Sequence, residues 1–324
     1  MSEILTDPNN QRLSAFPIKY DKLYALYKKQ KAAMWQEGEI DFSSDYRDFE
    51  KLTKDEQHVI KMILAFFASS DGIVNLNISM RLLNEITIPE AIMTYRFQSM
   101  MEDVHNITYS MMLDNLIKDK EEKNILFNAI QTVPCIKKMS DWALNWIESD
   151  KSLGHRIIAF ACVEGIFFSG AFATIFWLKF HKSKGHIFMP GFIKSNEFIA
   201  RDEGMHYDFA CELYSMLINK PDKNELKQII IEAVNIATEF ALETIQCRFV
   251  GMNSEMMIGY IQYIADRLYM TVANEKIYNV ENPCTFMNTI GMTQKTNFFE
   301  SRPTEYQSAY VMNESNKIVM VNDF

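Results

Sequence analysis

Two short patterns in the sequence set acids and imidazoles at helical spacing: Glu102 with His105 in "EDVHNITYS", and Glu203 with His206 in "DEGMH". Each is an E-x-x-H, so on an α-helix the carboxylate and the imidazole stand one turn apart on the same face. Tyr109 follows His105 by one more turn, and Glu102, His105 and Tyr109 then share a sector of ~60°. A solitary E-x-x-H is commonly a surface pair or a satisfied core histidine. Here each is preceded, on an earlier apolar stretch, by a lone mid-stripe acid: Asp71 in "LAFFASSDGIVN" and Glu164 in "CVEGIFFSG".

Four carboxylates and two imidazoles inside an apolar bundle would be very costly to bury unpaired. Two divalent cations would cancel four negative charges and give every donor a directional bond. One acid from each of two helices, with E-x-x-H from each of two others, is the ligand pattern of carboxylate-bridged dimetal bundles. An Asp takes one acid position here. The set Asp71, Glu102, His105, Glu164, Glu203 and His206 is oxygen-rich and lacks a thiolate, which suits iron or manganese better than structural zinc. The other histidines, His58, His155, His181 and His186, fall near helix ends or in loops and receive no role. Tyr109 has two readings: a core tyrosine with a bonded hydroxyl, or a redox group beside the metals. Phe168, Phe172 and Ile199 fall on the faces that would enclose it in a dry pocket.

Such donors need long helices to hold them. The patterning predicts a helix over 21–36, rich in tyrosine and lysine, then a polar connection. Thr53, in "LTKDEQ", reads as the N-cap of a helix running to about residue 84, with inward stripe Ile60, Leu64, Phe67, Ala68, Asp71, Val74 and Ile78. Pro89 opens a helix to about 118. Helices follow over 120–131, 134–148, 153–180, 192–218, 223–249 and 254–272. The helix over 153–180 carries Ile157, Phe160, Ala161, Glu164, Phe167, Phe168 and Ala171 inward; that over 192–218 carries Phe192, Ile199, Glu203, His206, Ala210 and Leu213. The expected fold is all-α, a ferritin-like bundle with extra helices around a four-helix dimetal core. It divides into a helical domain, 1–296, and a polar C-terminal tail, 297–324.

Composition agrees. Of 324 residues, 48% are hydrophobic, while 11 glycines and 8 prolines are too few for an all-β chain. A net charge of −9 speaks against nucleic-acid binding, which usually shows a basic stripe. Five scattered cysteines without a CxxC fit reduced thiols in the cytosol, and the polar, acid-bearing start is no secretory signal. The segment "IIAFACVEGIFFSGAFATIFWL" is long enough to cross a membrane. Glu164 at its centre has donors on other helices to meet, so the expected place is the middle of a bundle, not a bilayer.

Taken together, the motifs resemble the small, radical-generating subunit of class I ribonucleotide reductase, of the branch in eukaryotes and large DNA viruses. The carriers are "LAFFASSDGIVN", "EDVHNITYSMMLD", "VEGIFFSGAFATIFWLK", "SNEFIARDEGMHYDFAC", "KIYNVENP" and "TNFFESRPTEYQ", which span nearly the whole chain. The resemblance implies that Asp71, Glu102, His105, Glu164, Glu203 and His206 hold two iron ions per chain, manganese being possible, with O2 as oxidant. It implies that Tyr109 carries a stable radical in a pocket of Phe168, Phe172 and Ile199. Trp35, in "KKQKAAMW", and Asp202 match a relay through His105, and Tyr306, in "TEYQ", a tail tyrosine that passes the oxidising equivalent onward. Alone these would be a packing residue, a helix acid and a tail tyrosine.

The implied partner is a large subunit, docked by the C-terminal tail, where ribonucleotides become deoxyribonucleotides. The chain itself would bind no nucleotide substrate or nucleic acid, form a homodimer or pair with a paralogue, and work in the cytoplasm. Two departures stand out: "LKFHKSKGHIFMPG" is longer than the family pattern, and the ending "KIVMVNDF" is less acidic. An iron-storage bundle would not need Trp35, Asp202 and Tyr306, and a non-catalytic paired subunit would not keep all six ligand positions.

Overall fold

The computed structural model describes residues 3–244 and 253–289. Tyr306, Cys247 and the tail expected over 297–324 lie outside the described residues. Within them every regular element is helical. In chain order these are α1 (Asp21–Ala32), α2 (Asp45–Phe49), α3 (Lys54–Glu85), α4 (Pro89–Leu116), α5 (Lys120–Phe127), α6 (Ala129–Thr132), α7 (Pro134–Glu148), α8 (Leu153–Lys182), α9 (Pro190–Met216), α10 (Lys223–Thr244) and α11 (Ser254–Ala273).

The helix starts follow local chemistry. Thr53 Oγ1 accepts from Glu56 N (3.2 Å) and Glu56 Oε2 accepts from Thr53 N (3.0 Å), a reciprocal box that satisfies two of the first donors of α3. Pro89, Pro134 and Pro190 open α4, α7 and α9, where a missing N–H does no harm. Asn274, at φ 59°, stops α11 in a left-handed cap.

Helices α3, α4, α8 and α9 form the core, and α3 lies along α4. Helix α8 sits at the centre, packed by α9, α10 and α11. Within its most apolar stretch 94% of the residues are buried inside the fold, which explains a helix apolar on every side. Gly165 permits its close approach to α9, because a Cβ there would lie 2.8 Å from the Tyr207 ring. Two wide, π-type turns interrupt the core helices: Ile78–Leu82 in α3, and Val163–Phe167, which carries Glu164, in α8.

Three boundaries differ from the sequence expectation. Helix α1 stops at Ala32 rather than near residue 36, because Ala33 N and Met34 N close back on the carbonyls of Gln30 (3.0 Å) and Lys31 (3.3 Å). The helix expected over 120–131 breaks at Asn128, whose Nδ2 donates to Asn124 O (2.8 Å) in competition with the helical ladder. The polar connection before Thr53 contains α2. From it Asp45 accepts from Gly191 N (3.1 Å) and Phe192 N (2.6 Å), which caps α9 from a distant part of the chain.

Candidate dimetal site

Each core helix delivers its acids and imidazoles to one place: Asp71 from α3, Glu102 and His105 from α4, Glu164 from α8, Glu203 and His206 from α9. All six are buried, none more than 5% exposed. Donor atoms of Asp71, Glu102 and His105 lie within 4.8 Å of one another, and so do those of Glu102, Glu164 and His206. Glu102 belongs to both groups. Its Oε2 is 3.4 Å from His105 Nδ1, and its Oε1 is 3.1 Å from His206 Nδ1. Glu203 spans the same imidazoles, with Oε1 3.1 Å from His105 Nδ1 and Oε2 3.3 Å from His206 Nδ1. Two carboxylates thus bridge two imidazoles whose Nδ1 atoms face inward.

The electrostatics are those of a site short of positive charge. Burial pushes the Asp71 and Glu164 carboxyls well above the usual carboxylate range. Burial also acts upward on Glu102, but His206 and His105 outweigh it and hold it at about 2. The imidazoles go the other way. Burial disfavours their charge, yet Asp202, Glu102 and Glu203 raise His105 well above its ordinary value, and Glu102 and Glu203 do the same for His206. Both oxygens of Asp71 are buried without a hydrogen-bond donor, and Glu102 Oε2 and Glu203 Oε1 have only His105 Nδ1 beside them, outside hydrogen-bond geometry. Orphaned oxygens in two donor groups that share a carboxylate fit a pair of divalent cations, oxygen-preferring rather than thiophilic.

Around this centre the chain supplies supports that the sequence reading named and others that it missed. Trp35 Nε1 donates to Asp202 Oδ2 (2.8 Å), and the same oxygen lies 3.2 Å from His105 Nε2. Gln98 was missed. Its Nε2 donates to Glu164 Oε1 (2.7 Å) and Glu102 Oε1 (3.2 Å), and the only signal for it is its position one turn before Glu102. Tyr109 is buried, and the Phe67 ring, counted earlier only as core, stacks on it at 4.7 Å between centroids. Phe67 also meets Phe172 (4.8 Å) and, edge-on, Phe168 (5.3 Å). Ile199 is fully buried on α9, one turn before Glu203.

The sequence model of the family described as "Ribonucleotide reductase, small chain" matches residues 12–283. The chain belongs to that family. It is 51% identical to the ribonucleoside-diphosphate reductase small chain of Neurospora crassa over 98% of this chain and 76% of that one. It is 48% identical to the small chain of vaccinia virus, over 99% of this chain and all of that one. Among solved structures it resembles the ribonucleotide reductase Rnr4 homodimer of Saccharomyces cerevisiae, with TM-score 0.77 and 37% identity over 87% of this chain and 88% of that one. This small chain is therefore one part of a two-subunit ribonucleoside-diphosphate reductase, built on the ferritin-like helical fold and carrying carboxylate–histidine groups that could bind metal.

Proposed function

We propose that this small chain binds two iron ions and uses O2 to turn Tyr109 into a stable radical, which is passed to a large subunit for ribonucleotide reduction. The observation that carries the reading is Glu102, shared by both donor groups and set on the same helix face as His105 and Tyr109. Asp71, Glu102 and His105 would hold one ion and Glu102, Glu164 and His206 the other, with Glu203 reaching both sides. When bound, the iron pair would supply the oxidising power drawn from O2; manganese is the alternative that the same donors accept.

The protein's part is to control Tyr109 and its surroundings. Burial, with Asp71, Glu203 and Glu102 nearby, disfavours the phenolate and pushes the hydroxyl well above its ordinary pKa. Loss of the phenolic proton alone is therefore disfavoured. Phe67, packed in turn against Phe168 and Phe172, keeps water and hydrogen donors from the ring. Asp202 Oδ2 joins the Trp35 indole to the His105 imidazole, so charge can shift along the chain with a compensating proton movement in a low-dielectric interior.

The partner side of the proposal rests on the family. The tail over 297–324 would dock on the large subunit as an extended segment, and Tyr306 would pass the oxidising equivalent across. Homodimer formation is proposed from the yeast relative's assembly. A cytoplasmic location is proposed from Cys135, Cys162, Cys211 and Cys284, which are buried and form no disulfide among the described residues. The test is to load the protein with ferrous iron without oxygen, admit O2, and record EPR and visible spectra. The wild type should give a tyrosyl signal, and Tyr109→Phe should retain iron without it. An unchanged signal in that variant would reject Tyr109 as the radical site.

A further inference from the structure

Gln98 commits only half of its amide to the acids. Its Nε2 serves Glu164 and Glu102, whereas its Oε1 is buried and meets no protein donor. Chemistry fixes this orientation, since the reverse would set a carbonyl oxygen against two carboxylates. Asn77 on α3 presents a second such oxygen: the residue is 1% exposed and its Oδ1 also lacks a donor. Asn77 and Gln98 line one cavity of about 10 Å³, together with Tyr95, Glu164 and His206. The wide turn Ile78–Leu82 begins directly after Asn77, and the other wide turn holds Glu164, so both irregularities of the core helices border this space.

A volume of roughly 10–15 Å³ is the room that one water molecule needs. Two unsatisfied amide oxygens call for two O–H donors, and one water carries two. The two amides carry no charge to hold a cation, and apart from Tyr95, Glu164 and His206 the wall is apolar, with Val74, Ile78 and Phe160. We propose that this cavity binds a single internal water, which donates to Asn77 Oδ1 and Gln98 Oε1. That water makes Gln98 a positioning residue: with its carbonyl end anchored to α3, its NH2 end holds Glu164 and Glu102 in fixed relation. Asn77, which lies outside the six donors, thereby acts on Glu164 through Gln98.

The consequence for metal binding rests on the dimetal reading, and the experiment separates the two. The full chain is titrated with Mn(II), the free ion being counted by EPR, and the metal-loaded wild type is crystallised at a resolution that shows waters. The wild type should take up two ions, with a water bonded to both Asn77 Oδ1 and Gln98 Oε1. Gln98→Met keeps the shape but loses the NH2, and should weaken binding by about 10–100-fold, as loss of a ligand-orienting partner does. Asn77→Leu fills the cavity and should weaken binding in the same direction, whereas Asn77→Ser, which leaves room for water, should restore it. Uptake of fewer than two ions by the wild type would reject the dimetal reading. Two ions beside a dry cavity, or equal affinity in all folded variants, would reject this inference alone. Should the variants fail to fold, the wild-type crystal decides it.

Discussion

Trp35 and Asp202, 167 positions apart in the sequence, meet in a buried 2.8 Å hydrogen bond. The carboxylate is fixed from both ends: Oδ2 takes the indole N–H and faces His105 Nε2, while Oδ1 accepts from Arg201 Nε (3.1 Å) and Nη2 (3.0 Å). Burial alone would raise the Asp202 pKa, but Arg201 and His105 outweigh it and keep the group below the usual carboxylate range. The Trp35 ring also lies nearly parallel to His105, at 6.0 Å and 21°. Metal-side imidazole, acid and indole form one continuous chain leading out from the centre.

That chain predicts a separation between making the radical and using it. Asp202→Asn should leave a Tyr109 radical detectable by EPR but lower deoxynucleotide formation with the large subunit by about 10–100-fold. Trp35→Phe should act in the same direction by removing the indole donor. Turnover equal to wild type in both variants would take the chain out of the mechanism.

Phe67 predicts a stability effect and a lifetime effect. It is fully buried and packs on Tyr109, Phe66, Phe168 and Phe172. Truncation to Ala should cost about 3–5 kcal/mol in denaturant unfolding, the usual range for a buried Phe. The surviving Tyr109 radical should decay faster as the opened cavity admits donors, with Phe67→Leu falling between. A radical half-life unchanged in Phe67→Ala would show that shielding comes from elsewhere.

Glu90 predicts part of the acid sensitivity. Its Oε1 accepts from Arg12 Nη2 (2.6 Å) and Lys19 N (2.8 Å), which ties the N-terminal segment to α4. Burial raises its pKa, but Arg12 and the backbone donors outweigh that and hold it below its ordinary value of 4.5. The folded state thus keeps the carboxylate ionised where the unfolded chain would protonate it. This contribution is fully present above pH ~4.5 and is lost as pH falls through the lower folded value. Thermal melts between pH 7 and 3 should show Glu90→Gln less stable than wild type at neutral pH, with the gap narrowing below pH ~4.5. A constant gap across that range would contradict the assignment.

Much of the site was legible because its donors obey helical arithmetic. Glu102 and His105, and Glu203 and His206, lie one turn apart on strongly periodic helices, and the lone acids Asp71 and Glu164 interrupt apolar stripes where nothing else explains a charge. The bounds of α7 were readable from Pro134 and the polar stretch after Glu148. What was not legible depends on tertiary contact. Gln98 is a neutral amide whose role shows only when α8 brings Glu164 against it. Phe67 looked like any core residue until its ring met Tyr109. Asp45 caps α9 from another part of the chain, so no local pattern announces it. The two wide turns, Ile78–Leu82 and Val163–Phe167, leave no local sequence mark.

In the proposed function six donors on four helices hold two cations, and anomalous scattering from a metal-loaded crystal locates those ions. Two peaks per chain are expected, roughly 3.5–4 Å apart as in other two-metal sites. One should lie among Asp71, Glu102 and His105, the other among Glu102, Glu164 and His206, with Glu203 reaching both. A single peak, or none between those side chains in a fully loaded crystal, would contradict it.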